Sequence, residues 1–502
     1  MSPESAANGE HLQMFIDGSW VDASDGAQLT TANPVSGAAW ATFPAASQAD
    51  VDRAVQAAHR AMYEGPWSKM TATQRGKALR RLGEALAQRA DDIAEIETLD
   101  TGKLLRETKA TTRYIAEYYD YFAGAADKLQ GATFSTDKPE LMAMTLREPI
   151  GVVAGIIPWN NQLFLSAVKL APALAAGNAV VLKASEFAPA ALLELGHLAE
   201  SADLPPGVLN VVTGDGVGCG APLARHRLVS RIAFTGGHET ARHIVRHSAE
   251  NLAVLTLELG GKSPIVVFPD ADIDSAVNGI VAANFGAAGQ SCVAGTRVFL
   301  HRGVADEVLE RVAQRARSIV VGHPSDPTTE VGPLATPGQV RRIESAVVAS
   351  LAEGAVLHAG GGRPSLPAEF ENGWWYSPTV LDCPSQQVTT ARTELFGPVL
   401  SAFRFDSEDE VVAAANDSDF HYAAGVFTAD VGRAMRLTRR IRAGVVYVNT
   451  YRVISPMAPF GGDGLTGYGR EGGMESLLDY SRTKTVWINT SQASAPDPFT
   501  MR

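Results

Sequence analysis

The chain has 502 residues, enough for about three domains and for burying about three-quarters of its unfolded surface. At 45% hydrophobic and 20% charged it has globular composition, which excludes disordered, collagen-like and disulfide-scaffold classes. Fifty-five acidic residues against 43 basic ones leave a net charge of −12, and no basic block interrupts that field, so neither nucleic acid nor anionic lipid is an expected partner.

In chain order, the first ten residues are polar, with no apolar stretch behind a basic start. No apolar run anywhere reaches about 18 residues, so a cytoplasmic protein without a membrane partner is expected. Met14 to Val21 reads as a small hairpin about an Asp17-Gly18 turn. From Thr71 to Leu99 the residues Leu79, Leu82, Leu86, Ile93 and Ile96 form one apolar stripe, the pattern of a single amphipathic helix. Leu141 to Arg147 and Lys484 to Ile488 alternate apolar with other residues and read as edge strands, fit for pairing within the chain or between subunits.

Between Gly151 and Phe268 short apolar runs alternate with helix-like stretches. The runs are Gly151 to Ile157, Ala179 to Leu182, Val208 to Val212, Arg231 to Phe234 and Val254 to Leu259. Such βαβ patterning predicts a parallel sheet covered on both faces, which binds ligands beyond the C-terminal ends of its strands. After Pro264 a second α/β pattern continues to about Gly444, with helices over Asp306 to Ile319 and Thr336 to Ala352.

Polar groups gather at the strand ends: Pro158-Trp159-Asn160-Asn161, Lys183-Ala184-Ser185-Glu186, Phe234-Thr235-Gly236-Gly237 and Glu258-Leu259-Gly260-Gly261-Lys262. Gly236 and Gly237 precede a helix-like His238 to His247, a geometry that points backbone N–H groups and a helix dipole at an anion. Gly216 to Ala221 fits a loose GxGxxA fingerprint after a strand, a weak signal when taken alone. Gly261-Lys262-Ser263 is not a P-loop, since Thr256 stands where the first glycine belongs.

Three widely separated cysteines, Cys219, Cys292 and Cys383, provide no disulfide framework and no CxxC pair. Cys292 follows Gly286-Ala287-Ala288-Gly289-Gln290-Ser291, small residues that let a substrate approach the sulfur. As a nucleophile it must become thiolate, and Glu258 is a candidate base if burial raises its pKa. His243 and His247 are spaced to grip a metal, but Arg242 and Arg246 beside them favour a solvated basic face, and no metal is expected.

Together these segments resemble the NAD(P)-dependent aldehyde dehydrogenases of the non-acylating, hydrolytic type. The family's motifs appear in order: Pro158-Trp159-Asn160, Lys169 to Asn178, Lys183 to Glu186, Phe234-Thr235-Gly236, Glu258 to Lys262, Gly289 to Cys292, Glu394 to Pro398 and Pro459 to Gly462. The resemblance covers about residues 12 to 490. It implies an α/β protein with a Rossmann-like parallel-sheet cofactor domain over 12–130 and 151–260, and a second α/β catalytic domain over 261–465. A small β oligomerisation extension over 131–150 and 478–492 would complete a homotetramer or homodimer.

By the same resemblance Cys292 attacks an aldehyde, and Asn160 with the Cys292 N–H holds the oxyanion. Glu258 activates the hydrolytic water, and Lys169 with Glu471 passes its proton outward. Ile156, Trp159, Lys183, Ser185, Glu186, Gly216, Phe234, Thr235, Gly236, Gly237, Leu259, Gly260, Glu394 and Phe396 would surround the cofactor. Asn161, Leu165, Ser291, Val293, Arg452, Ile454 and Phe460 would line the aldehyde tunnel. Glu186 would accept a ribose 2′-hydroxyl and repel a 2′-phosphate, favouring NAD over NADP.

Several positions depart from the family's pattern: Gly237 where serine is common, Asp463-Gly464 where a basic residue is common, Asn161 where bulky apolar residues are common, and Arg452 in the tunnel stretch. A more polar substrate is the expectation, with Arg452 either pairing with its carboxylate or lying on the surface. The rival readings are a CoA-acylating semialdehyde dehydrogenase, which generally lacks the base found here as Glu258, a thiol esterase, and a non-catalytic binding protein on the same fold.

Overall fold

A computed structural model describes residues 9–494 and 497–500. The first sheet is built on five parallel strands: β1 (Val152–Ile156), β2 (Ala179–Lys183), β3 (Leu209–Val212), β4 (Val229–Thr235) and β5 (Val254–Glu258). Their spatial order is β5-β4-β1-β2-β3. β1 to β3 are buried along their whole lengths, which is why they read as unbroken apolar runs. The chain steps outward from β1 to β3 and then returns to lay β4 on the other side of β1. The C-terminal ends of β1 and β4 therefore flank the switch-point crevice of the sheet.

The hairpin Met14–Ile16 and Ser19–Val21 extends this sheet antiparallel to β3. Asp17 and Gly18 have φ of 55° and 74°, the sign that a tight two-residue hairpin turn requires. The single helix expected over Thr71 to Leu99 is instead two helices, Ala72–Gln88 and Ala90–Thr101, broken at Arg89. The seven-residue step from Leu86 to Ile93 keeps the stripe on one face while hiding the break inside it. Asp91 and Asp92 supply the acidic first turn of the new helix.

A second parallel set comprises β6 (Pro264–Val267), β7 (Arg297–His301), β8 (Thr379–Asp382), β9 (Val399–Phe405), β10 (Ala423–Phe427) and β11 (Val445–Val448). They lie in the order β8-β9-β7-β6-β10-β11, with Val356–Ala359 antiparallel at the β8 edge. The helices expected beside them run over Ala305–Ser318 and Pro337–Ala352. Each sheet has its own apolar core. One core extends from Leu12 to Leu259 and takes in Leu477 and Tyr480, and the other extends from Ile265 to Tyr451. The chain crosses between them at Gly260 to Pro264, beside the crevice.

The two alternating segments pair with each other: Ser481–Asn489 runs antiparallel to Leu141–Pro149, with Thr133–Phe134 on the far edge. Among the described residues no helix is long and apolar enough to cross a membrane.

Candidate active site

The crevice between the sheets holds a cavity of about 220 Å³. β1 delivers Trp159 and Asn160 to it, β4 delivers Thr235, Gly236 and Gly237, and β5 delivers Glu258, Leu259 and Gly260. Cys292 reaches it from the turn after the helix Ile273–Phe285. In that turn Ala287 and Ala288 have φ of 53° and 52°, a conformation that small side chains tolerate best. Gly289, at φ 71°, packs so close that a Cβ there would stand 2.3 Å from the Gly397 carbonyl carbon. The cysteine turn and the Glu394-to-Gly397 turn are thus locked together, and Glu394, Phe396 and Leu165 also line the cavity, with Pro158, Gln339 and Arg342.

The electrostatics set apart a base and a thiol. Glu258 is buried, and desolvation followed by the charge of Glu471 raises its carboxyl well above the ordinary range. Its Oε2 accepts a 2.6 Å hydrogen bond from the Tyr422 hydroxyl, while Oε1 is buried without a partner among the described residues. Gly461, at φ 148°, passes so near that a Cβ would stand 2.5 Å from Glu258 Oε1. Behind the base, buried Lys169 is ion-paired with Glu471 and donates to Thr235 Oγ1 at 2.6 Å. Desolvation first, then the Glu258 charge, pushes the half-buried Cys292 thiol up to about 12. Asn160 Nδ2 donates to the Gln290 carbonyl at 3.0 Å, which fixes its amide beside the cysteine turn.

On the β4 side the helix His238–Ser248 begins at exposed Gly237 with no side chain capping its N–H groups, and the space where a Cβ would stand is open. Glu394 Oε1 accepts from the Gly261 N–H at 2.9 Å, and the Phe396 ring meets Trp159 edge-on at 5.4 Å. Farther along the strand ends, Lys183 Nζ lies 3.3 Å from Glu186 Oε2, beside the turn Gly216–Gly220 that the Asp215 carboxylate caps. Ile156, Ser185 and Phe234 lie outside the cavity wall. Phe234 packs its ring beneath Gly236, and the Ser185 hydroxyl accepts from the Phe187 N–H.

The expected tunnel residues are spread more widely. Asn161 Oδ1 accepts from buried Lys103 at 3.2 Å, and Lys103 in turn pairs with Glu97. The Ile454 carbonyl accepts from the Tyr114 hydroxyl. Phe460 bridges backbone to backbone with Glu471 and lays its ring 5.3 Å from Tyr422. Ser291 is half-buried next to Cys292, whereas Val293 packs into the second core. Arg452 lies partly exposed. Its Nη1 donates to the Ala282 carbonyl near the C-terminal end of the helix Ile273–Phe285, where a cation meets the negative end of the dipole.

The aldehyde dehydrogenase family model matches residues 20–486. The chain belongs to the aldehyde dehydrogenase family. It is 51% identical, over 98% of its length and 100% of the relative's, to (Z)-2-((N-methylformamido)methylene)-5-hydroxybutyrolactone dehydrogenase of Acinetobacter baylyi. It is 40% identical to betaine aldehyde dehydrogenase of Brucella melitensis, over 96% and 98% of the two chains. It superposes on the NAD+ complex of an aldehyde dehydrogenase from Bacillus cereus with a TM-score of 0.94, at 36% identity over 98% and 99%. As an aldehyde dehydrogenase it is an oxidoreductase that converts an aldehyde to its acid.

Several residues of this aldehyde dehydrogenase site escaped the sequence reading. Gln290 braces the cysteine turn, its Oε1 accepting from the Ala335 N–H at 2.9 Å. Gln339 and Arg342 hold the carbonyls of Leu395 and Phe396. Lys103 and Tyr422 arrive from elements remote in the chain, and no motif or spacing marks them. A buried base does demand a donor, but that demand does not say which residue meets it.

Proposed function

We propose that the enzyme uses NAD, with NADP as a weaker alternative, and that Cys292, Glu258 and Asn160 carry out a hydrolytic oxidation. The observation behind this reading is that nucleophile, base and amide line one cavity with Trp159, Gly237, Glu394 and Phe396. The residues fit a dinucleotide. The uncapped helix start and open space at Gly237 suit a pyrophosphate, and half-exposed Glu186 suits a ribose hydroxyl. Bound there, NAD supplies the hydride acceptor. Trp159 and Gly237 would border its pyrophosphate, Lys183 and Glu186 its adenosine ribose, and Glu394 and Phe396 its nicotinamide end.

In this scheme the Cys292 sulfur attacks the carbonyl carbon after giving its proton to Glu258, whose raised pKa suits it to accept one. The Asn160 amide and the Cys292 N–H hold the oxyanion, and loss of one such donor typically costs about 10² to 10³ in rate. Loss of a hydride from the adduct carbon, for which NAD would be the acceptor, would leave a thioester on Cys292, and water would cleave it as Glu258, its first proton already passed on, takes the water's proton and the sulfur leaves. Lys169 and Glu471 lie where they would pass that proton away from the base. A CoA-acylating reaction has no need of such a base, and a requirement for added CoA would overturn the scheme.

The substrate we infer is a polar aldehyde. With Asn161 Oδ1 committed to Lys103, its amide nitrogen is left to donate to a substrate oxygen. A 5-hydroxybutyrolactone, the compound class in the Acinetobacter relative's name, is the ring-closed form of an aldehyde that carries a carboxylate. The test is NADH formation across alkyl, aromatic and carboxylate-bearing aldehydes, with NAD and NADP, for wild type and Cys292→Ala. Activity that survives the substitution, or none with any aldehyde in protein that binds NAD, would contradict the proposal.

The two cores favour separate cofactor (12–130, 151–260) and catalytic (261–465) domains. The strands of 131–150 and 478–492 leave Phe134, Met142, Leu146 and Trp487 exposed, apolar surface suited to a homodimer or homotetramer contact. A thiol nucleophile and two further unpaired cysteines favour a reducing, cytoplasmic setting.

A further inference from the structure

Tyr422 immediately precedes β10 and is 2% exposed, its ring set against Phe460 and its Cβ against the Gly261 backbone. Its hydroxyl donates to Glu258 Oε2 at 2.6 Å, and the Cys292 carbonyl and the Tyr422 Cβ both crowd the place a Cβ on Gly261 would take. Phenol, carboxylate and thiol thus meet in one buried corner. A carboxylate there without a donor would lose both its orientation and its compensation for burial. A phenol supplies that donor without adding charge, and its own proton is held tightly by desolvation and by the neighbouring Cys292 and Glu258.

We propose that Tyr422 is a positioning residue for the general base, holding the Glu258 carboxylate by Oε2 so that Oε1 is the oxygen that takes the proton. The inference rests on the role of Glu258 proposed above. When the thiol is activated, the S–H bond of Cys292 breaks and an O–H bond forms at Oε1, leaving thiolate and neutral carboxyl. The Tyr422 proton stays on its own oxygen throughout. The other groups acting on Glu258 are Glu471 and Lys169 behind it and Arg470 on the adjoining turn, and none of them donates a hydrogen bond to it among the described residues.

Tyr422→Phe in the full-length enzyme, assayed with NAD and its best aldehyde, tests this. The ring packing is retained and one donor is removed. We expect kcat to fall about tenfold with little change in aldehyde KM. The acidic limb of the kcat profile should move up by about one pH unit, because the carboxylate has lost a group that favours its ionised form. A residue that merely fills space would leave that limb in place. Tyr422→Gln, which keeps an N–H donor, should lie closer to wild type than Tyr422→Phe. If Tyr422→Phe fails to fold, a Tyr422→Gln limb within about half a unit of wild type supports the role, and displacement by a full unit overturns it. Glu258→Gln is measured in parallel. If it cannot hydrolyse the thioester while Tyr422→Phe retains the wild-type limb, this inference alone fails. If Glu258→Gln hydrolyses normally, the assignment of the base falls and this inference falls with it.

Discussion

The Glu394 carboxylate occupies the space that a side chain at position 260 would need: a Cβ on Gly260 would stand 1.9 Å from Glu394 Oε2, while Oε1 accepts from the Gly261 N–H. Gly260→Ala should therefore expel Glu394 from its seat. We expect the KM for NAD to rise about tenfold, the equivalent of one charge-assisted hydrogen bond, with the fold retained. Initial-rate kinetics with varied NAD, alongside urea unfolding, check this.

Glu471→Gln should act on stability and on the base together. Lys169 would be left as a buried charge without its counter-ion, facing Thr235 Oγ1 and a neutral amide oxygen, at a cost of about 3 to 5 kcal/mol. The Glu471 charge helps hold the Glu258 pKa up, so its removal favours the ionised base. Activity is lost as pH falls through that pKa, and the acidic limb of the kcat profile should move to lower pH. Urea unfolding and the pH profile are the measurements.

Glu186→Ser should relax the preference for NAD. The substitution removes a carboxylate that would repel a 2′-phosphate and frees Lys183 Nζ, now 3.3 Å from it, to meet that phosphate. We expect kcat/KM with NADP to rise about tenfold while that with NAD falls. Parallel assays with the two cofactors decide it.

Asn161→Leu and Arg452→Gln should separate two roles that look alike in the sequence. The first removes the amide held by Lys103, and kcat/KM for carboxylate-bearing aldehydes should fall about 10- to 100-fold relative to alkyl aldehydes. The second removes a bond to the Ala282 carbonyl, and should cost about 1 kcal/mol of stability without changing substrate preference. The aldehyde panel and chemical denaturation tell them apart.

The parts of the fold legible in the sequence were those governed by local patterning. β1 to β3 read as strands because burial on both faces makes their sequences continuously apolar, and Asp17-Gly18 read as a turn because its backbone needs positive φ. The break at Arg89 was not legible, since a seven-residue step satisfies a continuous stripe and an interrupted one equally well. Cys292, Glu258 and Asn160 stood out through the motifs around them, and the structure brings all three to one cavity. Tyr422 and Lys103 did not, because their partners lie 164 and 58 residues away and contact at that separation leaves no periodic trace. Arg452 was ambiguous for a related reason: its partner is a backbone carbonyl, which any residue at position 282 would supply.

If Cys292 forms a thioester that Glu258 is needed to hydrolyse, rapid mixing of Glu258→Gln with NAD and aldehyde should trap it. We expect a burst of about one NADH per active site, slower than in wild type and faster at higher pH because the thiol must ionise without its base, then near arrest, with the acyl group found on Cys292 by intact-protein and peptide mass spectrometry. Steady turnover at the wild-type rate after the burst would contradict the role of Glu258, and full NADH formation without any acyl group on Cys292 would contradict the covalent route itself.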